Sequence, residues 1–354
     1  MVSVLIVTWN SARFLPECFD SLNRQHYREL EVVVVDNASN DGTRELLRAR
    51  EGAWKVILND VNRGFAAGQN QAIAASRGDW LLCLNPDVVL SMDFVQHMVD
   101  TGSAHPEAGS LTGKLLRWPA GTNPPQSQVL DSTGIYFTRN MRHLDRGAEE
   151  LDHGLYEKQE WVFGATGAAA LFRREFVDDV SVEGQFFDEE FFCYREDADL
   201  AWRGQLMGWK CLYVPKAVGW HVRRVTPERR ESLPVEINWH SAKNRFLMRG
   251  KNASGWLCRR LFWPVAARDL MVIGYALLRD WQLLSAIGYP LRNLAALRRK
   301  RAIVQSRRRV SDQELLWWFS DEPRAIPLDS LASVPQQAAA GGAGSRGTVI
   351  GDRP

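Results

Sequence analysis

Apolar residues in the first third of the chain form short continuous runs. The runs at residues 3–8 (SVLIVT) and 31–36 (EVVVVD) are rich in Val and Ile, as in parallel strands covered on both faces. Shorter runs follow at 55–58 and 80–84. Because a helix-length segment separates each run from the next, the pattern predicts alternating strands and helices, and hence a twisted, mostly parallel sheet.

Polar residues follow three of these predicted strands at their carboxyl ends. They are Thr8 and Asn10 after the first strand, Asp36 and Asn37 after the second, and Asn85 and Asp87 after the fourth. Sheets of this kind bind ligands beyond the carboxyl ends of their strands, so we expect a binding site at this edge. An Asp at the end of a strand is also a common turn former or helix cap, which is a purely structural alternative for either one alone.

A glycine-containing turn, residues 62–70, precedes the third predicted helix. It contains Arg63, Gly64 and Asn70. Glycine allows another group to approach the backbone closely, and a helix N-terminus favours an anion. The turn has neither the dinucleotide-binding pattern nor the P-loop pattern, and a plain helix start with a left-handed Gly64 explains it equally well.

The second half of the chain has a weaker pattern. Gly, Pro, Ser and Asp accumulate over residues 118–160, which predicts a long insertion or loop. Strand-like runs return at 161–163, 168–172, 210–214 and 217–220. The last run is followed by His221, and an imidazole with an Asp carboxylate can ligate a divalent cation when a substrate phosphate completes the site. A lone His beside Trp220 is also a common structural residue.

A dense group of carboxylates, Glu196, Asp197 and Asp199, follows an aromatic stretch at 186–194 and opens a predicted helix. Aromatic neighbours keep water from a carboxylate and raise its pKa toward that of a useful general base. Carboxylates at the start of a helix are also common partners of the helix dipole, so this cluster alone does not establish a catalytic role.

Composition adds an asymmetry of charge. The chain has 354 residues, 45% of them hydrophobic, and a net charge of +2, which excludes collagen-like, coiled-coil and wholly disordered classes. Residues 223–309 nevertheless hold 20 Lys or Arg against five Asp or Glu, whereas the remainder holds 24 against 37. The five cysteines include no CxxC pair, which predicts free thiols. The chain therefore has an acidic body and a basic late segment.

The basic segment alternates arginines with large apolar residues. The apolar residues are Trp256, Phe262, Trp263, Leu277 and Trp281. This pattern favours amphipathic helices that lie on an anionic membrane surface, although a solvated charged face is the general alternative. The apolar stretches 270–278 and 281–291 are too short to span a bilayer. We expect no nucleic-acid partner, because no nucleic-acid-binding motif is present.

Taken together, the ordered motifs resemble the family 2 inverting glycosyltransferases of the GT-A fold, and among them the bacterial rhamnosyltransferase-like group. The resemblance runs over residues 1–250, as a nucleotide-sugar half (1–116) and an acceptor and catalytic half (117–250). It implies an α/β fold with a Rossmann-like, mixed but mostly parallel sheet flanked by helices. A basic helical appendage at 251–315 and a largely disordered tail at 316–354 would follow.

The resemblance also implies a role for each motif residue. Donor-binding residues would be Thr8, Asn10, Asp36, Asn37, Arg63, Gly64, Asn70 and Asn85; metal ligands Asp87 and His221; acceptor-side residues Gly164, Thr166, Gly167 and Glu196; and the catalytic base Asp197. The metal would be Mg²⁺ or Mn²⁺. Asn85 stands where the family's DxD motif has its first Asp, which removes one negative ligand.

The function implied by the resemblance is metal-dependent, inverting transfer of L-rhamnose from dTDP-rhamnose to a polysaccharide or lipid-linked saccharide of the cell envelope. Such an enzyme would be cytoplasmic and peripheral on the inner face of the membrane. Three alternatives stay open: a galactofuranosyl or other hexosyl transferase using a UDP-sugar, a nucleotidylyltransferase with a similar sheet, and a non-catalytic membrane scaffold.

Overall fold

The computed structural model describes residues 1–118, 127–223 and 235–328. Its strands are β1 (Val2–Thr8), β2 (Leu30–Asn37), β3 (Lys55–Asn59), β4 (Trp80–Leu84), β5 (Val88–Leu90), β6 (Ala108–Arg117), β7 (Leu130–Ser132), β8 (Ile135–Phe137), β9 (His143–Asp145), β10 (Glu160–Val162), β11 (Ala169–Arg173), β12 (Lys210–His221) and β13 (Ile326–Pro327).

The helices lie between and after these strands. They are α1 (Leu15–Asn23), α2 (Thr43–Arg48), α3 (Phe65–Ala75), α4 (Phe94–Ala104), α5 (Arg174–Val180), α6 (Glu196–Leu206), α7 (Val235–Asn252), α8 (Gly255–Arg260), α9 (Phe262–Leu278), α10 (Leu283–Arg292), α11 (Leu294–Ser306) and α12 (Asp312–Trp317). A short 3₁₀ turn, Glu189–Phe191, precedes α6.

The first four strands form the predicted parallel sheet. They lie side by side in the order β3-β2-β1-β4, and each neighbouring pair is parallel. All seven residues of β1 are buried, as its continuous apolar run requires when helices cover both faces. The register pairs Thr8 with Asp36, so the polar residues that follow both strands meet at one edge.

The second half of the chain extends this sheet with mixed pairing. Strand β11 lies antiparallel between β4 and β6, and β12 then runs parallel to β6. Strands β10 and β13 complete the far edge, and β8 pairs with β9 in a separate ribbon. The fold is therefore the expected α/β architecture, with helices flanking one large mixed sheet.

The two short strands expected at 210–214 and 217–220 are one strand, β12. Its register against β6 shifts between Val214 and Val218, where the chain contains Pro215. Proline has no N–H to donate to a ladder, so pairing is interrupted there and resumes beyond it. In the sequence this interruption looks like the end of one strand and the start of another, although a single strand continues to His221.

The insertion expected at 118–160 is partly regular. It contributes β7, β8 and β9, and β7 pairs antiparallel with the end of β6. Residues 119–126 lie outside the described part of the chain. Through β7 the insertion joins the large sheet and reaches the edge where the site was expected, while β8 and β9 form their own ribbon.

The C-terminal helices share a hydrophobic core with the α/β body. Phe319 lies within 5.6 Å of Phe137 and 5.1 Å of Trp202, measured between ring centroids. Ile326 of β13 pairs with Trp161 of β10. Residues as far as 328 therefore pack on the body, beyond position 316 where the tail was expected to begin. The low-complexity sequence beyond them lies outside the described residues.

Buried ion pairs connect these helices to the body. Lys251 of α7 lies 2.6 Å from Asp188 and 2.9 Å from Asp199, and Lys300 of α11 lies 2.6 Å from Asp188. Arg203 completes the cluster at 3.0 Å from Asp199. Burial alone would raise the pKa of Asp188, but the charges of Lys251 and Lys300 hold that pKa well below its usual range.

These contacts revise the interpretation of the basic segment. Lys251 and Lys300 face inward and neutralise acidic residues of the body, and both are buried. At the surface, Arg299 pairs with Glu183 and Arg309 pairs with Asp179. Part of the charge asymmetry therefore joins two halves of the same chain.

We expect Lys251→Met to lower the free energy of unfolding by about 3–5 kcal/mol, because it leaves Asp199 and Asp188 buried with fewer cations. Urea unfolding followed by circular dichroism would measure the change. Arg299→Met, which removes an exposed ion pair, serves as the matched control and should change stability little. Equal effects of the two substitutions would contradict the role given to the buried cluster.

Candidate active site

The carboxylate of Asp36 organises the loop after β2. It is fully buried and accepts hydrogen bonds from the Thr8 hydroxyl at 3.0 Å, the Ser39 N–H at 3.0 Å and the Arg44 Nε at 2.8 Å. Asp36, itself bonded to Thr8, therefore fixes the conformation of the loop after β2. Their predicted contact with the donor nucleotide stays a prediction.

Asn10 joins the loops that follow β1 and β2. Its N–H donates to the Ser39 hydroxyl at 2.9 Å, and its side-chain oxygen accepts from the Asn40 N–H at 2.9 Å. It has a left-handed φ of 50°, a conformation that Asn tolerates better than most residues. The two loops thus form one connected surface at the sheet edge.

Asn37 holds the turn that precedes α3. Its side-chain nitrogen donates to the Gly64 carbonyl at 2.9 Å, and its oxygen accepts from Asn59 at 2.9 Å. Gly64 has a φ of 85°, and a Cβ added there would lie 2.5 Å from the Phe192 ring. Only glycine fits this contact, whereas the neighbouring Arg63 is exposed.

Asn70 connects α3 to the segment that leads into the carboxylate cluster. Its amide donates to the Phe187 carbonyl at 2.8 Å and accepts from the Phe187 N–H at 3.0 Å. It also donates to Glu189 at 3.0 Å. These bonds give Asn70 a structural role, and its predicted contact with the donor stays untested by the geometry.

Asp87 and His221 are brought together at the sheet edge, as the sequence predicts. Asp87 comes directly before β5 and His221 ends β12, and these strands pair with Val88 opposite His221. The imidazole Nε2 lies 3.5 Å from Asp87 Oδ1, while Nδ1 lies 2.8 Å from Asp131 Oδ2. Burial by itself lowers the pKa of His221, but the two carboxylates raise it to about 10.

Asp131 is a member of the site that the sequence did not reveal. It is buried on β7, where Arg117 Nε lies 3.1 Å and an Arg223 nitrogen 3.4 Å from its Oδ1. Burial alone would raise its pKa, but His221 and the two arginines hold the pKa of Asp131 below its ordinary value. Asp145 of β9 pairs with Arg223 in the same cluster. Strands of three residues show no periodicity, so no pattern marked either Asp.

Asp197 lies in the first turn of α6, beside the glycine loop that precedes β11. Its Oδ2 accepts from the Gly167 N–H at 3.1 Å, and its Oδ1 accepts from the Ala198 N–H at 2.7 Å. Withdrawal from water and the negative charge of Asp145 raise the pKa of Asp197. This is a partly exposed carboxylate whose pKa has moved toward that of a general base.

The other two acidic residues of the cluster differ from Asp197. Withdrawal from water and the charge of Asp197 raise the pKa of Glu196, and its Oε2 has no hydrogen-bond partner within the described residues. Asp199 is fully buried and bonded to Lys251, Arg203 and, at 2.8 Å, Asn252. Asp199 is therefore structural, which leaves Asp197 and Glu196 as the candidates for a base.

The predicted acceptor loop packs against α6. A Cβ added at Gly164 would lie 2.2 Å from the Cβ of Ala201, and one added at Gly167 would lie 3.3 Å from Asp197. Thr166 between them is buried. The Asn85 N–H donates to the Ala168 carbonyl at 2.9 Å, which joins this loop to the turn carrying Asp87. The predicted metal ligand Asp87 and the predicted base Asp197 thus lie at one edge of the sheet.

The backbone before Asp197 is strained. Phe192, Tyr194 and Arg195 have φ values of 64°, 68° and 72°. A side chain with a Cβ disfavours this region, at a cost of order 1–3 kcal/mol for each residue. Such strain persists only where neighbouring contacts hold it, and it concentrates at functional sites.

The residues present fit a divalent cation bound together with a substrate. Asp87 offers one carboxylate oxygen, and His221 offers its Nε2 once the cation displaces the proton that the two carboxylates favour there; Asp131 orients the imidazole through its other nitrogen. Within residues 1–118, 127–223 and 235–328, no group of three or more His, Cys, Asp or Glu is arranged to hold a metal. Two protein ligands plus diphosphate oxygens are a common arrangement for Mg²⁺.

A family model then decides the class of protein. The model for glycosyl transferase family 2 matches residues 3–181, slightly more than half of the chain. The chain belongs to glycosyl transferase family 2. It is a glycosyltransferase, and neither the nucleotidylyltransferase nor the scaffold alternative is retained.

One relative has a name that specifies both the sugar it transfers and the acceptor. The chain is 26% identical over 285 residues to an N-acetylglucosaminyl-diphospho-decaprenol L-rhamnosyltransferase of Mycobacterium tuberculosis. The match covers 75% of this chain and 89% of the relative. The similarity extends well past the family-model match and into the C-terminal helices.

Solved structures show the same fold at lower identity. GalNAc-T7, solved with UDP, GalNAc and Mn²⁺, matches with a TM-score of 0.56 and 16% identity over 71% of this chain and 48% of its own. TarS of S. aureus matches with a TM-score of 0.51 and 17% identity over 86% and 90%. These neighbours confirm the GT-A fold class of the large sheet and its flanking helices.

Proposed function

We propose that the protein transfers L-rhamnose from dTDP-rhamnose to a lipid-linked or polysaccharide acceptor, with inversion at the anomeric carbon. The observation that carries the proposal is the position of Asp197, a carboxylate of raised pKa, on the same sheet edge as Asp87 and His221. A donor diphosphate near Asp87 and an acceptor hydroxyl near Asp197 would then flank one sugar.

In this mechanism Asp197 accepts the proton of the acceptor hydroxyl as that oxygen attacks the anomeric carbon. The hydrogen bonds from Gly167 and Ala198 fix the direction of the carboxylate before the reaction. A positioned base of this kind contributes about 10²–10⁴ in rate. The new bond forms opposite the departing diphosphate, so a single displacement inverts the configuration.

Asp87 and His221 would hold the divalent cation, Mg²⁺ or Mn²⁺, on the diphosphate side. When bound, such a cation neutralises the charge that grows on the departing nucleoside diphosphate. Asp131 keeps the Nε2 of His221 directed toward Asp87. Since the first position of the DxD motif is Asn85, the protein supplies fewer negative ligands, and the donor diphosphate contributes more of the binding.

The relatives support the choice of donor and acceptor. The mycobacterial relative is named for L-rhamnosyl transfer to a diphospho-decaprenol-linked N-acetylglucosamine, and the alignment covers most of both chains. We extend that acceptor class, a saccharide on a polyprenyl diphosphate, to this protein. A UDP-hexose donor, such as a galactofuranosyl donor, is the competing candidate.

A thermal-shift screen tests the donor. We expect dTDP-rhamnose with Mn²⁺ to stabilise the protein, by about 2.7 kcal/mol when the ligand is at 100 times its Kd. Asp87→Asn should lose the part of the shift that depends on Mn²⁺, because it removes the charged ligand. Stabilisation by UDP-hexoses and none by dTDP-rhamnose would overturn the donor assignment.

Substitution of the base tests the chemistry. We expect Asp197→Asn to lower turnover at least about a hundredfold while the donor-induced thermal shift persists, because the amide cannot accept the proton. Rhamnosyl transfer to a lipid-linked acceptor would be measured by chromatography of the product. Near-normal turnover would move the base to Glu196.

The same base predicts the pH dependence. Because the pKa of Asp197 is raised, its deprotonated form is lost at a higher pH than for an ordinary Asp. We therefore expect activity to fall with decreasing pH along an acid limb that lies at higher pH than an ordinary Asp would give, which a profile of kcat against pH would measure.

We further propose that α9 and α10 rest on an anionic membrane surface, which makes the protein peripheral on the cytoplasmic face. Large apolar side chains are exposed there, including Trp263 at 80% and Leu278 at 83%. The others are Phe262, Leu270, Met271, Tyr275, Leu277, Trp281, Leu284 and Leu291. No helix among the described residues is long and apolar enough to cross a membrane.

Arginines accompany this apolar surface. The exposed arginines nearby are Arg259 and Arg260 of α8, Arg279 directly after α9, and Arg292 of α10. Apolar side chains that enter the headgroup region and cations that meet lipid phosphates are the two contributions to interfacial binding. Binding to the membrane would bring the enzyme close to a lipid-linked acceptor, because the saccharide of such an acceptor stays near the membrane surface.

Vesicle co-sedimentation tests the membrane surface. We expect the wild type to bind vesicles containing phosphatidylglycerol, and Trp263→Ser with Leu278→Ser to reduce binding about tenfold or more, because buried apolar area is lost. Leu155→Ser, which removes an apolar side chain 73% exposed on the body, is the matched control. Binding unaffected by the double substitution, or by lipid charge and salt, would contradict the proposal.

A further inference from the structure

We propose that Asn244 of α7 is a positioning residue for catalysis, because it holds the strained turn that sets the place of Asp197. The inference rests on the proposed role of Asp197 as the base. It assigns a function in the active site to a helix of the C-terminal half, beyond the residues matched by the family model.

The turn in question centres on Phe192. The Cys193 N–H donates to the Phe191 carbonyl at 2.8 Å, which closes a three-residue γ-turn. Phe192 has φ 64° and ψ −66°, the rare form of this turn. With Tyr194 and Arg195 also at positive φ, three residues with side chains occupy an unfavourable region directly before α6.

Asn244 supplies the contacts that hold this backbone. Its side-chain nitrogen lies 2.8 Å from the Phe191 carbonyl oxygen, 2.9 Å from that of Cys193 and 2.7 Å from that of Tyr194. Asn244 is fully buried, so water cannot replace these bonds. Three carbonyl oxygens around one atom require the donating end of the amide, whose two hydrogens they share, and this fixes its orientation.

Neighbouring residues of α7 contact the same turn. Ser241 accepts from Arg195 Nε at 2.8 Å through its carbonyl, and the ring of His240 stacks on Phe192 at 4.7 Å between centroids. The Ser241 and His240 contacts thus involve Arg195 and Phe192, which are neighbours in sequence of the residues that Asn244 contacts. The turn is therefore shaped by α7, and Asn244 bonds to most of its carbonyls.

The position of the turn gives these contacts a catalytic consequence. Asp197 follows Arg195 by two residues, so a change in the turn moves the start of α6 and the carboxylate it carries. The Phe192 ring also meets Gly64, and the Phe192 carbonyl accepts from the Ala66 N–H at 3.1 Å. The turn thus sets the spacing between the predicted donor loop and the base.

The test compares Asn244→Leu and Asn244→Asp with Gln305→Leu. Leu removes the donor, and Asp keeps the shape while presenting acceptors to the three carbonyls. Gln305 of α11 is the matched control, because its amide donates to the Asn252 carbonyl at 2.9 Å, away from the turn. Two variants at position 244 keep the test usable if one of them fails to fold.

We expect kcat of both Asn244 variants to fall about 10- to 100-fold with the KM for the donor within about twofold, because a misplaced base slows the chemical step. The acid limb of the kcat profile should also shift, since the surroundings of Asp197 change. Gln305→Leu should keep both parameters. A folded Asn244 variant with wild-type kcat and pH profile, or an equal loss in the control, would overturn the inference.

Hydrogen exchange separates this inference from the proposed reaction. We expect amides 191–197 to exchange at least tenfold faster in Asn244→Leu and unchanged in Gln305→Leu, whichever sugar is transferred. Unchanged exchange in that segment would refute the positioning role. Absence of transfer by the wild type, with exchange altered as expected, would instead refute the proposed reaction.

Discussion

The buried cluster of Asp188, Asp199, Lys251 and Lys300 is the constraint on which the remaining structure depends. Charges withdrawn from water are stable only when each carboxylate meets its cation, so the cluster fixes α7 and α11 against the segment leading into α6. Through α7, the same attachment brings Asn244 to the turn before Asp197. The basic late segment therefore contributes to the geometry around Asp197 as well as to the surface.

The candidate site combines residues from the parallel part of the sheet with residues from its mixed part. The parallel strands β1, β2 and β4 bring the predicted donor residues to one edge, as is general for such sheets. The mixed half then adds residues from distant parts of the chain: His221 at the end of β12, Asp131 from β7 and Asp197 from α6. Family membership follows from the first 181 residues, whereas the geometry around Asp197 depends on residues after 235.

The sequence predicted what local patterns encode. Continuous Val and Ile runs identified β1 and β2, and the polar residues after the strands identified the sheet edge with Asp87 and His221. Contacts between distant residues carry no such pattern, so the partners of Lys251 were not found. Three-residue strands concealed Asp131, and Pro215 made one strand resemble two. Most of the predicted donor-binding residues proved to be engaged in hydrogen bonds within the protein, which sequence alone cannot reveal.

The distance along the sequence between Asp188 and Lys300 has a consequence for how the chain folds in the cell. The two residues are 112 positions apart, and β13 completes its sheet edge later still. At a synthesis rate of about 5–20 residues per second, Asp188 leaves the ribosome several seconds before Lys300, the cation with which it pairs. The sheet can begin to assemble during translation, but the segment that leads into Asp197 reaches its final form only after nearly the whole described chain has emerged.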